Sequence, residues 1–231
     1  MKLGIMQPYF LPYIGYFQLI NAVDAFIIYD NIKYTKKGWI NRNRFMQHGK
    51  DTLFSIPLKK DSDFLNIKNR HLADNFNKQK FLEQLRSAYS KSDEFINAMP
   101  VIEMCVLYDN NNLFDYIFNS VKIICEYLSI KTTLHVSSQV DINHELKGQE
   151  KVIELCKKMK ADTYVNSIGG LELYSKEIFK NNGIELGFIK SKEIMYRQFE
   201  HQFIPWLSIV DVMMFNSKEI ISDFLNQYEI I

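Results

Sequence analysis

The chain has 231 residues, 24% of them charged, and a formal net charge of +1. This near-neutral balance excludes a global field that favours nucleic acid or an anionic membrane, so any recognition of anions must be local. The 47% hydrophobic content supports a substantial core, and the 14% aromatic content also suits stacking against sugars or bases.

The chain opens with a predicted strand, turn, helix and second strand. The apolar runs KLGIM (2–6) and AFIIYD (25–30) are typical of short buried strands, and YIGYFQLINAV (13–23) between them predicts a short helix. Such a unit usually builds a parallel sheet. DTLFSIPL (51–58) predicts a further strand.

The middle of the chain, residues 60–130, is predicted to be mainly helical and to form a cap or insertion. Apolar residues recur at helical spacing over 80–89. NLFDYIFNSVKIICEYL (112–128) places its apolar residues on one stripe, and Asn110 to Asn112 supply candidates for its N-cap.

The second half alternates strands and helices. The strands are predicted at 132–140, 162–168 and 184–190, and the helices at 147–161, 171–183, 208–215 and 215–225. We therefore expect one α/β domain over 1–231, with a mostly parallel sheet and helices on both faces in three layers.

Cysteine usage and hydropathy indicate a cytoplasmic protein. The three cysteines are far apart and lack a C-x-x-C pair, which argues against a disulfide framework or a cysteine zinc site. Cys125 and Cys156 lie on apolar helix positions, so we expect buried thiols. The sequence contains neither a signal-peptide pattern nor a run of about 18 apolar residues.

The segment IMQPYFLPYIGYFQLI (5–20) is the first candidate site. It follows the first strand and precedes a helix, where ligands bind in open parallel sheets and where helix N–H groups favour anions. We expect Phe10 and Phe17 in the core. The candidate binding residues are Gln7, Tyr9, Tyr13, Gly15 and Tyr16, with Gly15 permitting close approach of a ligand. The alternative is a proline-shaped turn whose aromatic residues only pack.

The segment DNIKYTKKGWINRNRF (30–45) is the second candidate. Arginine forks match phosphate oxygens, and an aromatic ring stacks on a base or sugar, so a nucleotide-linked ligand would suit it. The candidate residues are Tyr34, Trp39, Asn41, Arg42 and Arg44. A solvated basic hairpin is the alternative. Asp30 ends the second strand and can serve as metal ligand, base or turn cap.

Two weaker signals come from the second half. Asn166, Gly169 and Gly170 pass from a strand end towards a helix, an anion-binding context with many false positives. His144 and His201 are candidates for acid–base chemistry.

Other patterns in the second half point away from known chemistries. Ser208 and Asp211 are interpreted as helix caps. The histidine spacing fits no zinc motif, and the serine-hydrolase, Walker and Rossmann fingerprints are missing.

Three motifs together resemble the WbqC-like family of bacterial proteins. These are MQPYFLPYIGYFQLI, then YDNIKYTKKGWINRNR, then LSIVDVMMFN. Members are commonly encoded among genes for O-antigen or other surface polysaccharides, so the resemblance implies work on a nucleotide-activated amino sugar. The family's strongest positions fall here on Gln7, Pro8, Pro12, Gly15, Tyr16, Asp30, Tyr34, Trp39, Asn41 and Arg42.

The opening layout is also similar, more weakly, to nucleotidylyltransferase-like (HUP-like) folds with an H-x-G-H motif. Tyr13-Ile14-Gly15-Tyr16 stands where that motif belongs, so both histidines, which stabilise phosphate charge, are missing. Lys36, Lys37, Arg42 or Arg44 could supply that charge instead.

Three functions follow as hypotheses. The first is an enzyme that transfers an acyl or aminoacyl group to the amine of a nucleotide-linked amino sugar, with Asp30 or His144 as base. Its donor would be a thioester such as a CoA ester, a charged tRNA, or a carboxylate activated with ATP and magnesium. The second is a nucleotidylyltransferase acting on a sugar phosphate, and the third a non-catalytic nucleotide- or glycan-binding protein. No metal site and no DNA partner are expected, and a homo-oligomer is compatible with the sequence.

Overall fold

The fold is built on a six-stranded sheet in the order β5-β2-β1-β6-β7-β8. A computed structural model describes residues 1–200 and 202–231, and the candidate His201 lies outside the described residues. Five strands are parallel, and only β8 pairs antiparallel, with β7. The strands are β1 (Lys2–Met6), β2 (Ala25–Ile28), β5 (Thr133–Val136), β6 (Thr163–Ser167), β7 (Glu185–Ser191) and β8 (Tyr228–Ile230). The predicted mostly parallel α/β fold is confirmed.

Two strands lie outside this sheet. β3 (Arg42–Gln47) and β4 (Lys50–Ser55) form a separate antiparallel hairpin. The strand predicted at 51–58 is therefore part of a hairpin, and its partner β3 begins in the basic segment, for which a hairpin was the alternative interpretation.

Eight α-helices occur in the described residues. Around the sheet they are α1 (Ile14–Asn21), α5 (Gly148–Lys158), α6 (Lys176–Asn181), α7 (Ile209–Phe215) and α8 (Lys218–Leu225), and in the middle of the chain α2 (Lys78–Tyr89), α3 (Phe95–Leu107) and α4 (Leu113–Tyr127). Among them no helix is long and apolar enough to cross a membrane. The helix predicted at 171–183 is shorter, because residues 171–173 form a turn before Ser175 caps α6.

Strand alternation divides the apolar core between the two faces of the sheet. On β2, Phe26 and Ile28 join a large cluster with α1 and the middle helices, whereas Ala25 and Ile27 join a smaller cluster beneath α5 and α6. Helices thus cover both faces in three layers. The middle helices share the larger cluster with α1, so they pack onto the domain rather than forming a core of their own.

The cysteines are buried and unbridged. Cys125 and Cys156 are free thiols in the core, as predicted, and Cys105 is another. Burial raises the pKa of Cys125 and of Cys156 to about 12, so both remain protonated and inert at neutral pH.

Candidate functional site

The point where the strand order reverses lies between β1 and β6. In chain order the five parallel strands run 3-2-1-4-5, because the chain leaves β1 towards β2 on one side and later returns to place β6 on the other. Ligands of open α/β sheets bind at the carboxyl ends of strands on either side of such a point.

A cavity of about 370 Å³ opens there, and we name it the switch-point cavity. Its floor includes Met6 at the end of β1 and Ser167 at the end of β6. The other described lining residues are Tyr9, Pro12, Tyr13, Gly15, Tyr16, Trp39, Asn43, Arg44 and Trp206. Five of the eleven described lining residues are therefore aromatic, and Arg44 is the one charged group among them.

The turn after β1 has a strained backbone conformation that contacts from distant residues stabilise. Leu11 is fully buried and has a positive φ of 46°, which costs an L-residue about 1–2 kcal/mol. Its carbonyl accepts two hydrogen bonds, from Asn43 Nδ2 at 2.8 Å and from Ser208 Oγ at 2.7 Å.

Flanking backbone bonds fix the same turn. The N–H of Phe10 donates to the carbonyl of Ile40 (2.9 Å), and that of Ile209 donates to the carbonyl of Pro12 (2.7 Å). The three sequence motifs thus converge on one turn, which forms a wall of the switch-point cavity.

Most of the aromatic residues of the first motif line this cavity, but their roles differ. Tyr16 is almost fully buried, and its hydroxyl donates to the backbone carbonyl of Gln7 (3.0 Å), so it is chiefly a core residue. Tyr9 donates to Oε1 of Gln7 (3.2 Å), and Gln7 supports Tyr9 without lining the cavity itself. Burial raises the pKa of Tyr9 and of Tyr13, which keeps both hydroxyls protonated: Tyr9 donates to Gln7, and Tyr13 can donate to a ligand.

Gly15 provides space for Tyr13 rather than directly for a ligand. A Cβ added at Gly15 would lie 2.1 Å from the Tyr13 hydroxyl oxygen and 2.2 Å from ring atom Cζ. The ring therefore folds back over the first turn of α1. Tyr13 also meets Trp206 edge to face, with ring centroids 5.8 Å apart.

The Tyr13–Trp206 pair separates the switch-point cavity from a neighbour of about 430 Å³. Both rings line both cavities. Trp206 is 60% exposed and has a positive φ of 62°. The sequence contains Trp206 in an aromatic stretch, but only the fold brings it opposite Tyr13.

The two arginines of the second motif have different surroundings. Arg44 lines the switch-point cavity, and its guanidinium donates to Asp51 (2.8 Å) and to the carbonyl of Trp206 (3.5 Å). Arg42 instead donates to the carbonyls of Gly38 (2.7 Å) and Lys37, closing the turn that presents Trp39. Arg44 is therefore the better candidate for an anion, and Arg42 is a positioning residue.

Trp39 is exposed to the cavity, whereas Tyr34 and Asn41 are buried. Trp39 is 48% exposed and lines the switch-point cavity. Tyr34 is buried, donates to Asn41 Oδ1 (2.8 Å), and has the Arg70 guanidinium 4.9 Å from its ring centroid. Asn41 also donates to the carbonyl of Ile56 (2.7 Å). The expected stacking of Tyr34 and ligand contact of Asn41 are thus corrected, because both hold the loop to the hairpin.

Asp30 joins the ends of two strands. It is 3% exposed, and its carboxylate accepts bonds from Ser137 Oγ, the Ser138 N–H (both 2.8 Å) and Ser138 Oγ. Two neutral serine residues therefore supply all three of these donors. This geometry favours a structural role, and Asp30 does not line the switch-point cavity.

His144 lies at a different cavity, which we name the β2 cavity. It measures about 500 Å³ and opens at the carboxyl end of β2. Asn31 Nδ2 lies 2.9 Å from Nδ1 of His144. The structure therefore separates His144 from the aromatic residues of the first motif.

The Gly169-Gly170 segment is not a helix N-terminus. Residues 168–170 form a single 3-10 turn, and α6 begins only at Lys176. Asn166 is buried and accepts from the N–H of Ser167 (2.7 Å), and a Cβ at Gly170 would lie 2.6 Å from Asn166 Nδ2. Asn166 and Gly170 are thus packed against each other, whereas Gly169 is exposed, and none of the three lines the switch-point cavity. Their neighbour Ser167 is the residue that reaches it.

The third motif contributes a helix cap and a buried carboxylate. Ser208 caps α7 as predicted, accepting from the N–H of Val210 (3.3 Å). Asp211 is not a cap. It is fully buried and accepts from Tyr89 (2.8 Å), Tyr196 (2.7 Å) and Gln198 (2.6 Å), and burial raises its pKa.

Comparisons with known proteins agree with these motifs. A sequence model of the WbqC-like protein family matches residues 7–223. The chain is also 28% identical to the uncharacterized protein Rv1507c of Mycobacterium tuberculosis over 230 residues, which cover 97% of each chain. No solved structure matches the chain significantly. The matched range includes every segment that lines the switch-point cavity except Met6.

Proposed function

The chain belongs to the WbqC-like protein family, and from this premise we propose that it is a cytoplasmic enzyme of bacterial surface-glycan biosynthesis, of the O-antigen type. Its substrate is a nucleotide-linked amino sugar, and it transfers an acyl or aminoacyl group to the sugar amine. The observation that carries the proposal is the convergence of three distant motifs on one turn, which forms a wall of the cavity at the reversal of strand order.

The groups around the switch-point cavity suit the parts of such a substrate. Trp39 and Trp206 offer exposed ring faces for a base or a sugar. Arg44 offers a guanidinium at the cavity wall whose fork matches phosphate oxygens, and a bound phosphate would replace the exposed Asp51 and the Trp206 carbonyl as its partners. The neighbouring cavity beyond Tyr13 and Trp206 provides room for the acyl donor, and it is lined mainly by apolar residues.

In the proposed reaction the neutral sugar amine attacks the donor's acyl carbon. A C–N bond forms, the bond from the acyl carbon to the donor's sulfur or oxygen breaks, and the amine proton passes to solvent. No histidine or carboxylate lines the switch-point cavity in the described part of the chain. The protein therefore contributes by holding the two reactants together, and the activated donor supplies the driving force.

The strand order supports a second candidate function. The order 3-2-1-4-5 agrees with that of doubly wound nucleotide-binding sheets, and Tyr13 to Tyr16 stand at the start of α1, where the nucleotidylyltransferase-like layout carries its H-x-G-H motif. A nucleotidyl transfer to a sugar phosphate would release pyrophosphate from a nucleoside triphosphate in the presence of magnesium. Amide formation needs an acyl donor or a free carboxylic acid, so release of pyrophosphate from a nucleoside triphosphate and a sugar phosphate alone, without either of these, separates the two.

The direct test is mass spectrometry of nucleotide-linked amino sugars incubated with the protein and pooled acyl donors. A mass gain on the sugar nucleotide identifies the acceptor and the group transferred. Arg44→Gln is expected to abolish the gain, whereas Lys36→Gln, on the same segment but salt-bridged to Asp63 at the surface, retains it. Calorimetric binding without turnover for any donor would instead favour a non-catalytic accessory protein, and no binding of any nucleotide sugar would refute the proposal.

A further inference from the structure

The β2 cavity carries an excess of positive charge that the proposed function does not use. Its charged lining residues in the described chain are three lysines and one glutamate: Lys33, Lys147, Lys151 and Glu145. The lysines exceed the glutamate by two positive charges. This composition differs from that of the aromatic switch-point cavity.

Lys151 is the unusual member of this set because it is buried. The residue is 6% exposed, and its Nζ donates only to the carbonyl of His144, at 3.4 Å. The same ammonium lies 5.8 Å from the ring centroid of Tyr29. Since His144 and Tyr29 both line the β2 cavity, the ammonium lies at the cavity wall.

No carboxylate compensates this buried charge at contact distance. Every ion pair within 4.0 Å in residues 1–200 and 202–231 involves another cation. Burial lowers the pKa of Lys151, and the more distant Asp30 and Glu145 oppose that effect. The carboxylate of Asp30 is already engaged by Ser137 and Ser138. A buried ammonium without a paired anion is costly, so an anionic ligand would supply the missing partner.

The start of α5 adds donors on the same side. This 11-residue helix begins at Gly148, and its N-cap residue Lys147 makes no side-chain capping bond. Leu146, Lys147 and Gly148 line the β2 cavity, so the free N–H groups of the first turn and the positive end of the helix lie at its edge.

We propose that the β2 cavity binds the phosphate or diphosphate group of a ligand, with the Lys151 ammonium and the first N–H groups of α5 as its inner donors. Lys33 and Lys147 lie at the exposed rim. A phosphate fits better than a carboxylate because it offers more acceptor oxygens and a charge near −2, matching the excess on the wall. This proposal does not depend on the proposed function of the switch-point cavity.

Calorimetry with inorganic pyrophosphate and with inorganic phosphate tests the site. The wild-type protein is expected to bind at least one of them, and Lys151→Met to weaken that binding by about tenfold or more, the value of a charge-assisted hydrogen bond. Lys157→Met, an exposed position on the same helix, is the matched control and keeps wild-type affinity. Absence of binding by the wild-type protein at millimolar concentrations, or unchanged affinity in Lys151→Met, would overturn the proposal.

Thermal unfolding distinguishes a binding role of Lys151 from a structural one. Without ligand, Lys151→Met is expected to unfold at the same or a higher temperature, because it removes an unpaired buried charge. A lower temperature would make Lys151 structural and refute the proposal. Should that variant fail to fold, the exposed Lys33→Met/Lys147→Met variant must weaken binding, and unchanged affinity would overturn the proposal.

A last variant separates this site from the switch-point cavity. Arg44→Gln is expected to retain pyrophosphate binding, because Arg44 lines the other cavity. Loss of pyrophosphate binding in Arg44→Gln would place the anion in the switch-point cavity and refute a second site. A nucleoside diphosphate titrated alongside pyrophosphate shows whether the ligand's phosphate comes with a nucleoside.

Discussion

Removing both donors to the Leu11 carbonyl should cost more than the sum of the single losses. Leu11 is buried in a left-handed conformation, and Asn43 and Ser208 donate to its oxygen from distant parts of the sequence. Either single variant, Asn43→Ala or Ser208→Ala, leaves the carbonyl one partner. The double variant leaves it with neither side-chain donor.

The magnitudes follow from these contacts. Asn43→Ala removes the bond to Leu11 and the one its Oδ1 accepts from the N–H of Arg44, so about 2 kcal/mol is expected. Ser208→Ala removes a similar bond and the cap of α7, again about 2 kcal/mol. An orphaned buried carbonyl costs about 1–3 kcal/mol, so the double variant should lose at least ~1 kcal/mol beyond the sum.

Urea unfolding of the four proteins gives this coupling energy directly. Asn226→Ala is a matched control, because its amide bonds the carbonyl of Ser222 at the surface and should change stability by no more than about 0.5 kcal/mol. Additivity of the two substitutions within about 0.5 kcal/mol would refute the claim that both motifs hold the turn through one carbonyl.

Three other outcomes are expected. Arg44→Gln should weaken nucleotide-sugar binding by about tenfold or more in calorimetry, whereas Arg42→Gln, which loses bonds to the 37–38 turn, should chiefly lower stability. Burial raises the pKa of the Asp211 carboxyl above 3.8. The contribution of Asp211 to the free energy of unfolding is therefore greatest at low pH and is lost as the pH rises through its folded-state pKa. In urea unfolding measured over this pH range, Asp211→Asn should flatten the dependence of stability on pH. Gly15→Ala should displace the Tyr13 ring and reduce ligand affinity, with stability changed by only about 1 kcal/mol, and unchanged affinity would contradict this role of Gly15.

Local patterns were sufficient for most of the elements. Apolar runs and helical stripes predicted β1, α4 and α5, because the buried residues of each element are consecutive or recur at a regular short spacing. Elements without such a pattern were missed. The first half of β3 is polar and contains two arginines, so it lacks the apolar pattern of a strand. Helix α3 contains Pro100, a residue that normally ends a helix.

For the candidate site too, local sequence patterns predict which segments take part but not which side chains face the cavity. The position of the first motif after β1 follows from the strand–turn–helix pattern, and the predicted residues Tyr9, Tyr13 and Gly15 line the switch-point cavity. Within the second motif, sequence could not tell Trp39 from Tyr34, because both are aromatic residues in one basic loop. The structure separates them through Arg70 and Asn41, which cover Tyr34 and leave Trp39 exposed.

The sequence by itself determined the alternation of strands and helices, the family, and the segments that carry the candidate site, since these depend on residue types and short spacings. Only the tertiary structure decided which side chains meet. Ser208 reaches Leu11 across 197 positions of sequence, and Trp206 meets Tyr13 in the same region. Such contacts depend on strand order and on how helices pack over the sheet. The same packing divides the predicted site into a switch-point cavity at β1 and β6 and a separate, cationic cavity at β2.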